Sequence, residues 1–196
     1  DKDNSAAEGS YLLTAAEEEI LRNVCNAFAR TIVVLNVGNI MDMKWVDRYQ
    51  PQAVLYVWQG GQEGGRATVD VLTGKVNPGG KLSDTIAEDI EDYPSTENFG
   101  DPVENFYTED IYVGYRYYET RYIGDDNVYT PEEEAEYQKA VQYPFGYGLS
   151  YTTFDWSDPQ WEVGSQGGQV KVSVKVTNTG NVAGKDVVQL YYTAPY

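Results

Sequence analysis

Histidine is absent from the 196-residue sequence, and cysteine occurs once. Without histidine, this chain cannot assemble Ser-His-Asp or Cys-His catalysis, and it lacks the commonest metal ligand. The single Cys25 can form neither an intrachain disulfide nor a thiolate metal cluster. Its place among apolar residues at helical spacing predicts a buried structural thiol. The groups available for catalysis or binding are therefore carboxylates, tyrosines and backbone groups. We expect no metal and no cofactor.

Positive charge is also scarce. The sequence has 14 basic residues against 31 acidic ones, for a formal net charge of −17. Nucleic acids and anionic membranes are bound largely through Lys and Arg, so neither is an expected partner. The charge serves mainly to keep the protein soluble, and it is compatible with a neutral substrate such as a sugar.

Long hydrophobic runs are missing too. No apolar segment approaches the roughly 20 residues that a membrane-spanning helix requires. The sequence opens on Asp1, without an initiating Met or a charged-then-apolar leader. We therefore expect a piece of a longer protein. A bacterial cytoplasm is the favoured location, and the sequence leaves other locations open.

The first half alternates helix and strand patterns. Thr14 and Glu17 have the spacing of a capping box, and apolar residues recur behind them at helical spacing, which predicts a helix over 15–29. Continuous β-branched or apolar runs at 31–35 and 53–58 predict strands buried on both faces, as in a parallel sheet. Further helices are expected near 42–47 and over 66–72. This alternation predicts an α/β domain, a sandwich of helices on a mostly parallel sheet.

The second half has another character. A polar loop is expected over 91–109, followed by an extended aromatic segment at 111–118 and an acidic insertion at 132–134. Valines alternate with polar residues over 170–176, which predicts a half-buried strand, and 187–192 predicts another. We therefore divide the chain into an α/β sandwich at 1–152 and an incomplete all-β module at 153–196.

Several segments resemble, in the same order, those of family 3 glycoside hydrolases. The segments are Gln59-Gly60-Gly61-Gln62-Glu63-Gly64-Gly65, Asp70-Val71-Leu72-Thr73-Gly74 through Gly79-Gly80-Lys81-Leu82, Glu109-Asp110-Ile111-Tyr112-Val113-Gly114-Tyr115-Arg116-Tyr117-Tyr118 and Tyr143-Pro144-Phe145-Gly146-Tyr147-Gly148-Leu149-Ser150-Tyr151. Residues 176–191 resemble the fibronectin type III-like module of that family. Together these matches cover nearly the whole chain.

The resemblance implies a fragment of a retaining β-glucosidase that hydrolyses the O-glycosidic bonds of β-glucosides or related oligosaccharides. Such chemistry needs two carboxylates about 5–5.5 Å apart. In the family, the nucleophilic aspartate lies on a (β/α)₈ barrel, which this chain does not contain. The acid/base glutamate is expected just before Asp1, because Asp1-Lys2-Asp3-Asn4 resembles the segment that follows it. No catalytic residue is therefore expected within the chain, which should be inactive alone, and no substrate-binding residue is assigned.

The sequence leaves other interpretations open. Residues 83–89 depart from the common family pattern and resemble a subgroup in which the sandwich can precede the barrel. Glu63 lies in a glycine-rich turn, where it either orients the loop or takes part in catalysis. The aromatic residues of 106–122 either pack the fold or stack on sugar rings. The alternative function is a non-catalytic carbohydrate-binding or interaction module with the same fold.

Overall fold

The computed structural model describes residues 6–124, 128–164 and 168–192. In chain order the elements are α1 (Ala15–Ala27), β1 (Ile32–Leu35), α2 (Trp45–Tyr49), β2 (Ala53–Tyr56), α3 (Gly64–Leu72), β3 (Ile86–Ala87), a 3₁₀ turn (Ile90–Asp92), α4 (Tyr115–Arg121), α5 (Pro131–Ala140), β4 (Val141–Tyr143), β5 (Phe154–Val163) and β6 (Val170–Asn178). They form two compact units: residues up to 64 with 82–147, and 65–81 with 148 onward.

The predicted start of α1 is confirmed. The Thr14 hydroxyl accepts from the Glu17 N–H, while the Thr14 N–H donates to Glu17 Oε2 at 2.8 Å, so both sides of the capping box are present. The helix ends at Ala27, two residues before the predicted end. Cys25 is half-buried rather than fully buried.

The predicted parallel arrangement is also confirmed. β1 pairs in parallel with β2, with Ile32 opposite Ala53 and Leu35 opposite Tyr56. The prediction that β1 is buried on both faces is wrong: Leu35 is buried, whereas Ile32 and Val34 are 52% and 40% exposed. Successive side chains of a strand point to opposite faces, and in the described part of the chain only the Leu35 face is covered.

The core of the first unit lies under that covered face. Leu35 packs in a buried cluster with Met41, Met43, Trp45 and Ile86. A second cluster joins Ala87 of β3 to Tyr118, Ala140 and Val141. Adjacent residues of the short antiparallel β3–β4 pair thus contribute to both clusters.

Two expectations for this unit are wrong in detail. Residues 115–118, expected to be extended, belong to α4, because Gly114 turns the chain with a φ of 63° and Tyr118 is then buried from a helix. The short helix expected at 42–47 is α2, which begins only at Trp45. The acidic insertion forms the first turn of α5, where Thr130 and Glu133 make a second capping box.

The second unit contains α3 from Gly65 onward and a β-ribbon. α3 ends near the predicted position, and Gly74 follows with a φ of 76°. A Cβ atom at Gly148 would lie 2.5 Å from the Gly80 carbonyl oxygen, so this close approach of two chain segments requires glycine. Nearby, Lys81 Nζ donates to the Gly148 carbonyl at 2.7 Å.

The ribbon differs from prediction in three ways. β5, which was not predicted, pairs antiparallel with β6 and carries a bulge between Ser157 and Gln160, because the intervening Asp158-Pro159 interrupts the alternation. β6 is a strand as predicted but is more exposed than predicted: Val174 is half-buried, whereas Val170, Val172 and Val176 are 62%, 41% and 38% exposed. Residues 187–192 are not a strand, because they have no hydrogen-bonded neighbour strand within the described residues.

Candidate functional site

An open cleft lies at the carboxyl ends of the parallel strands in the first unit. Gly38 and Asn39 follow β1 and line one part of it, and Trp58 follows β2 and lines another. The crevice beyond the carboxyl ends of parallel strands is where α/β folds usually bind ligands. The position of the cleft therefore follows from the two strands that the sequence predicts.

The cleft has a volume of about 440 Å³, within the range of small-molecule sites. Its lining combines aromatic and apolar side chains with short polar ones: Ser10, Tyr11, Gly38, Asn39, Ile40, Trp58, Asp84, Ile90, Tyr93, Ser95, Thr96 and Phe99. Every one of these residues belongs to the first unit. The lining that the described residues provide therefore comes from one unit.

Trp58 is held in an unusual conformation. Its φ is 52°, in the left-handed region that bulky residues rarely adopt. Its ring lies 4.5 Å from that of Tyr56, centroid to centroid, at an interplanar angle of 45°. The Tyr56 hydroxyl in turn donates to the Asn39 carbonyl. Burial raises the pKa of Tyr56 to about 12, so this donor stays protonated at neutral pH.

Two further tyrosines line the cleft. Tyr11 is 5% exposed, and its hydroxyl oxygen is buried beside the Tyr93 hydroxyl. Burial, and next the neighbouring Tyr93, raise the pKa of Tyr11 above its ordinary value. The Tyr93 hydroxyl accepts from the Ala87 N–H at 2.9 Å, and burial raises its pKa to about 12. Both phenols are therefore neutral under ordinary conditions.

The charge in the cleft is sparse and negative. Asp84 is the one charged residue that the described part of the chain contributes to the lining, and it accepts a hydrogen bond from the Ser83 hydroxyl at 2.8 Å. Among the described residues, no group of three or more potential ligands could hold a metal ion. A carboxylate without a cation beside it in the lining suits a neutral ligand rich in hydroxyl donors and disfavours an anion.

The predicted catalytic positions lie elsewhere. The acid/base glutamate is expected before Asp1, and residues 1–4 fall outside the described residues. Glu63 is exposed in the turn before α3 and does not line the cleft. The structure thus brings together residues that the sequence did not single out. Part of the signal was present: Asn39 comes soon after the predicted strand 31–35, and Trp58 is the last residue of the predicted strand 53–58, although β2 ends at Tyr56.

The aromatic segment at 106–122 divides between two roles. Tyr118 is 1% exposed and its hydroxyl donates to the Asp92 carbonyl at 3.1 Å. Tyr115 stacks on Phe145 with centroids 4.3 Å apart. By contrast, Tyr107 is 97% exposed. Packing therefore accounts for Tyr115 and Tyr118, and none of the three lines the cleft.

Comparison with known proteins identifies the family. The model of the glycosyl hydrolase family 3 C-terminal domain matches residues 2–115. The chain belongs to glycosyl hydrolase family 3. It is 47% identical over its full length to a β-glucosidase of Ruminococcus albus, of which it covers 19%, and 47% identical to β-glucosidase A of Butyrivibrio fibrisolvens, with 95% of this chain and 23% of that protein covered. The chain thus spans about a fifth of the length of these family members.

Solved structures of the family agree with the fold. A β-glucosidase from Paenibacillus barengoltzii superposes with a TM-score of 0.76 at 46% identity, covering 93% of this chain and 19% of that one. β-Glucosidase 3B from Thermotoga neapolitana, solved with α-D-glucose, gives a TM-score of 0.73 at 36% identity, covering 90% and 23%. The α/β fold predicted for this family 3 chain is confirmed. Among the described residues, no helix is both long and apolar enough to span a membrane.

Proposed function

We propose that this chain is part of a β-glucosidase that hydrolyses O-glycosidic bonds of β-glucosides with retention of configuration. The observation that carries the proposal is the similarity to β-glucosidases along the entire chain at 47% identity. The chain supplies the wall of the active site that is not formed by the barrel. Residues 1–152 form the α/β sandwich domain, and 153–196 begin a fibronectin type III-like module.

The catalytic carboxylates act from outside this chain. A retaining glycosidase needs a nucleophile and an acid/base about 5–5.5 Å apart. The acid/base glutamate immediately precedes Asp1, and the nucleophilic aspartate lies on the barrel domain of the same parent protein. Because Asp84 is the one carboxylate lining the cleft in the described part of the chain, this unit alone lacks the pair.

The test compares the isolated chain with the protein encoded by the uninterrupted reading frame. We expect the longer protein to hydrolyse an aryl β-glucoside and to release β-glucose first, as followed by NMR of the anomeric proton. Replacing the glutamate before Asp1 by Gln should abolish release of a poor leaving group. The isolated chain should show no turnover. Rapid turnover by the chain alone, or a reading frame without a barrel, would overturn the proposal.

A carbohydrate-binding module without catalysis is the second candidate. The observation that favours it is the cleft, which is formed entirely by residues of one unit and combines aromatic with hydroxyl-accepting side chains. A reading frame that lacks both carboxylates, together with sugar binding by the chain, would establish it in place of the hydrolase.

A further inference from the structure

We infer that the cleft binds a neutral pyranose ring by stacking it on Trp58, while Asp84 and the Thr96 hydroxyl engage the sugar hydroxyls. The inference rests on the proposed function for the choice of a sugar as the ligand class. Its residues and their roles come from the geometry of the cleft. It makes Trp58 a specificity-determining residue that is separate from the catalytic carboxylates.

The first argument is the restraint on Trp58. Its left-handed backbone conformation is costly for a bulky residue, and such conformations cluster at ligand sites. Tyr56 packs against the indole at 4.5 Å and is itself fixed by its hydrogen bond to the Asn39 carbonyl. An aromatic ring fixed in this way loses little entropy when the apolar face of a sugar packs on it.

The second argument is the hydroxyl groups of the lining. Ser95 and Thr96 both place a hydroxyl-bearing side chain in the wall of the cleft. A sugar hydroxyl both donates and accepts hydrogen bonds, so it can pair with such groups. Thr96 Oγ1 already donates to the Ile90 carbonyl at 2.6 Å, which leaves its lone pairs for a sugar donor.

The third argument is charge. The described residues of the lining offer the Asp84 carboxylate and no cation, within a chain whose formal net charge is −17. A carboxylate accepts hydrogen bonds from neutral sugar hydroxyls and repels a phosphorylated sugar. The cleft should therefore prefer glucose to glucose 6-phosphate. The volume of about 440 Å³ accommodates one or two rings.

The experiment is a titration of the chain with methyl β-D-glucoside, cellobiose and glucose 6-phosphate, followed by calorimetry and by NMR of the tryptophan indole protons. We expect saturable binding of the two neutral sugars and none of the phosphate. Trp58→Ala should weaken binding at least about tenfold, which is the scale of one aromatic stacking contact. Trp58→Phe should restore part of it. The matched control is Trp161→Ala on β5, which is 72% exposed and should leave binding unchanged.

A second variant tests the charge argument. Asp84→Asn should reduce the ratio of the affinities for glucose and glucose 6-phosphate. Cooperative unfolding shows whether each variant remains folded.

The two neutral sugars show which part of a substrate the cleft binds. Tighter binding of cellobiose than of methyl β-D-glucoside assigns the cleft to the leaving-group half of a substrate, and equal binding assigns it to a single ring. Absence of binding, or equal loss in Trp58→Ala and Trp161→Ala, overturns the inference. Hydrolysis by the longer protein in that case leaves the proposed function intact.

Discussion

At the scale of single residues, Tyr118 shows how one side chain fixes local structure. It is 1% exposed, and its ring meets those of Tyr93 and Tyr117 edge to face. Burial raises the pKa of its phenol far above the ordinary value, so the hydroxyl remains a donor to the Asp92 carbonyl. One tyrosine thereby ties α4 to the end of the 3₁₀ turn.

Tyr118→Phe measures how much the hydrogen bond from Tyr118 to the Asp92 carbonyl contributes to stability. Removing the hydroxyl keeps the ring but deprives the Asp92 carbonyl of its donor, so we expect a loss of about 1 kcal/mol in the free energy of unfolding. Tyr118→Ala should cost about 3–5 kcal/mol, because it also leaves a cavity. Urea denaturation measures both. Tyr107→Phe is the control, since Tyr107 is 97% exposed and should unfold like the unchanged protein.

At the scale of elements, the capping box of α1 should be directly measurable. We expect Thr14→Ala to lower the free energy of unfolding by about 1 kcal/mol, because it leaves the Glu17 N–H without its acceptor. The control is Thr120→Ala on the exposed side of α4, which should change stability by less than about 0.5 kcal/mol. Equal losses in both variants would contradict a specific role for the cap.

The stabilising effect of the α1 capping box should also depend on pH. The Thr14 N–H and then the Thr14 hydroxyl hold the pKa of Glu17 below its ordinary value. A carboxyl with a lowered folded-state pKa stabilises the fold above its unfolded pKa, and this contribution is lost as pH falls through the folded value. Glu17→Gln should therefore lower the thermal midpoint at neutral pH and have little effect at pH values below both pKa values. A constant difference at all pH values would refute this coupling.

Gly114 governs where α4 starts. Its φ of 63° and ψ of −130° strain any residue with a Cβ, so Gly114→Ala should cost about 1–3 kcal/mol by urea denaturation. Gly65 lies inside α3 without a positive φ, and a Cβ there would meet nothing within 4 Å. Gly65→Ala should therefore stabilise by about 0.5–1 kcal/mol. The decisive result is a lower free energy of unfolding for Gly114→Ala and a higher one for Gly65→Ala.

The contrast between α1 and α4 shows what the sequence can predict. α1 carries its start signal in two side chains three residues apart, so local chemistry defines it. In 111–118 aromatic and β-branched residues favour a strand, and only the turn at Gly114 and the burial of Tyr118 select the helix. The cleft follows the same logic: its strands were predictable, but Tyr11 and Trp58 meet there only through the tertiary fold.

At the scale of the whole molecule, negative charge opposes folding. The formal net charge is −17, and burial raises the pKa of the Asp42, Glu88 and Asp92 carboxyls. For Asp42 burial outweighs the attraction of Lys44, whose Nζ lies 3.7 Å from Asp42 Oδ1. Each of these groups binds its proton more readily in the folded state than in the unfolded one. Protonation therefore favours the fold while the other carboxylates remain ionised.

At low salt we accordingly expect the thermal midpoint to rise as pH falls from neutrality towards the ordinary carboxyl pKa. NaCl at neutral pH should raise the midpoint as well by screening repulsion. The sign follows from the raised pKa values: their stabilising contribution is fully present below the unfolded pKa and is lost as pH rises through the folded one. Glu88→Gln should raise the midpoint at pH 7 and flatten its pH dependence more than Glu97→Gln, which removes the same charge from an exposed position. If the thermal midpoint instead falls steadily as pH falls, the carboxyls with lowered pKa values, Glu17 and Asp101, determine the pH dependence of stability more than the buried ones do.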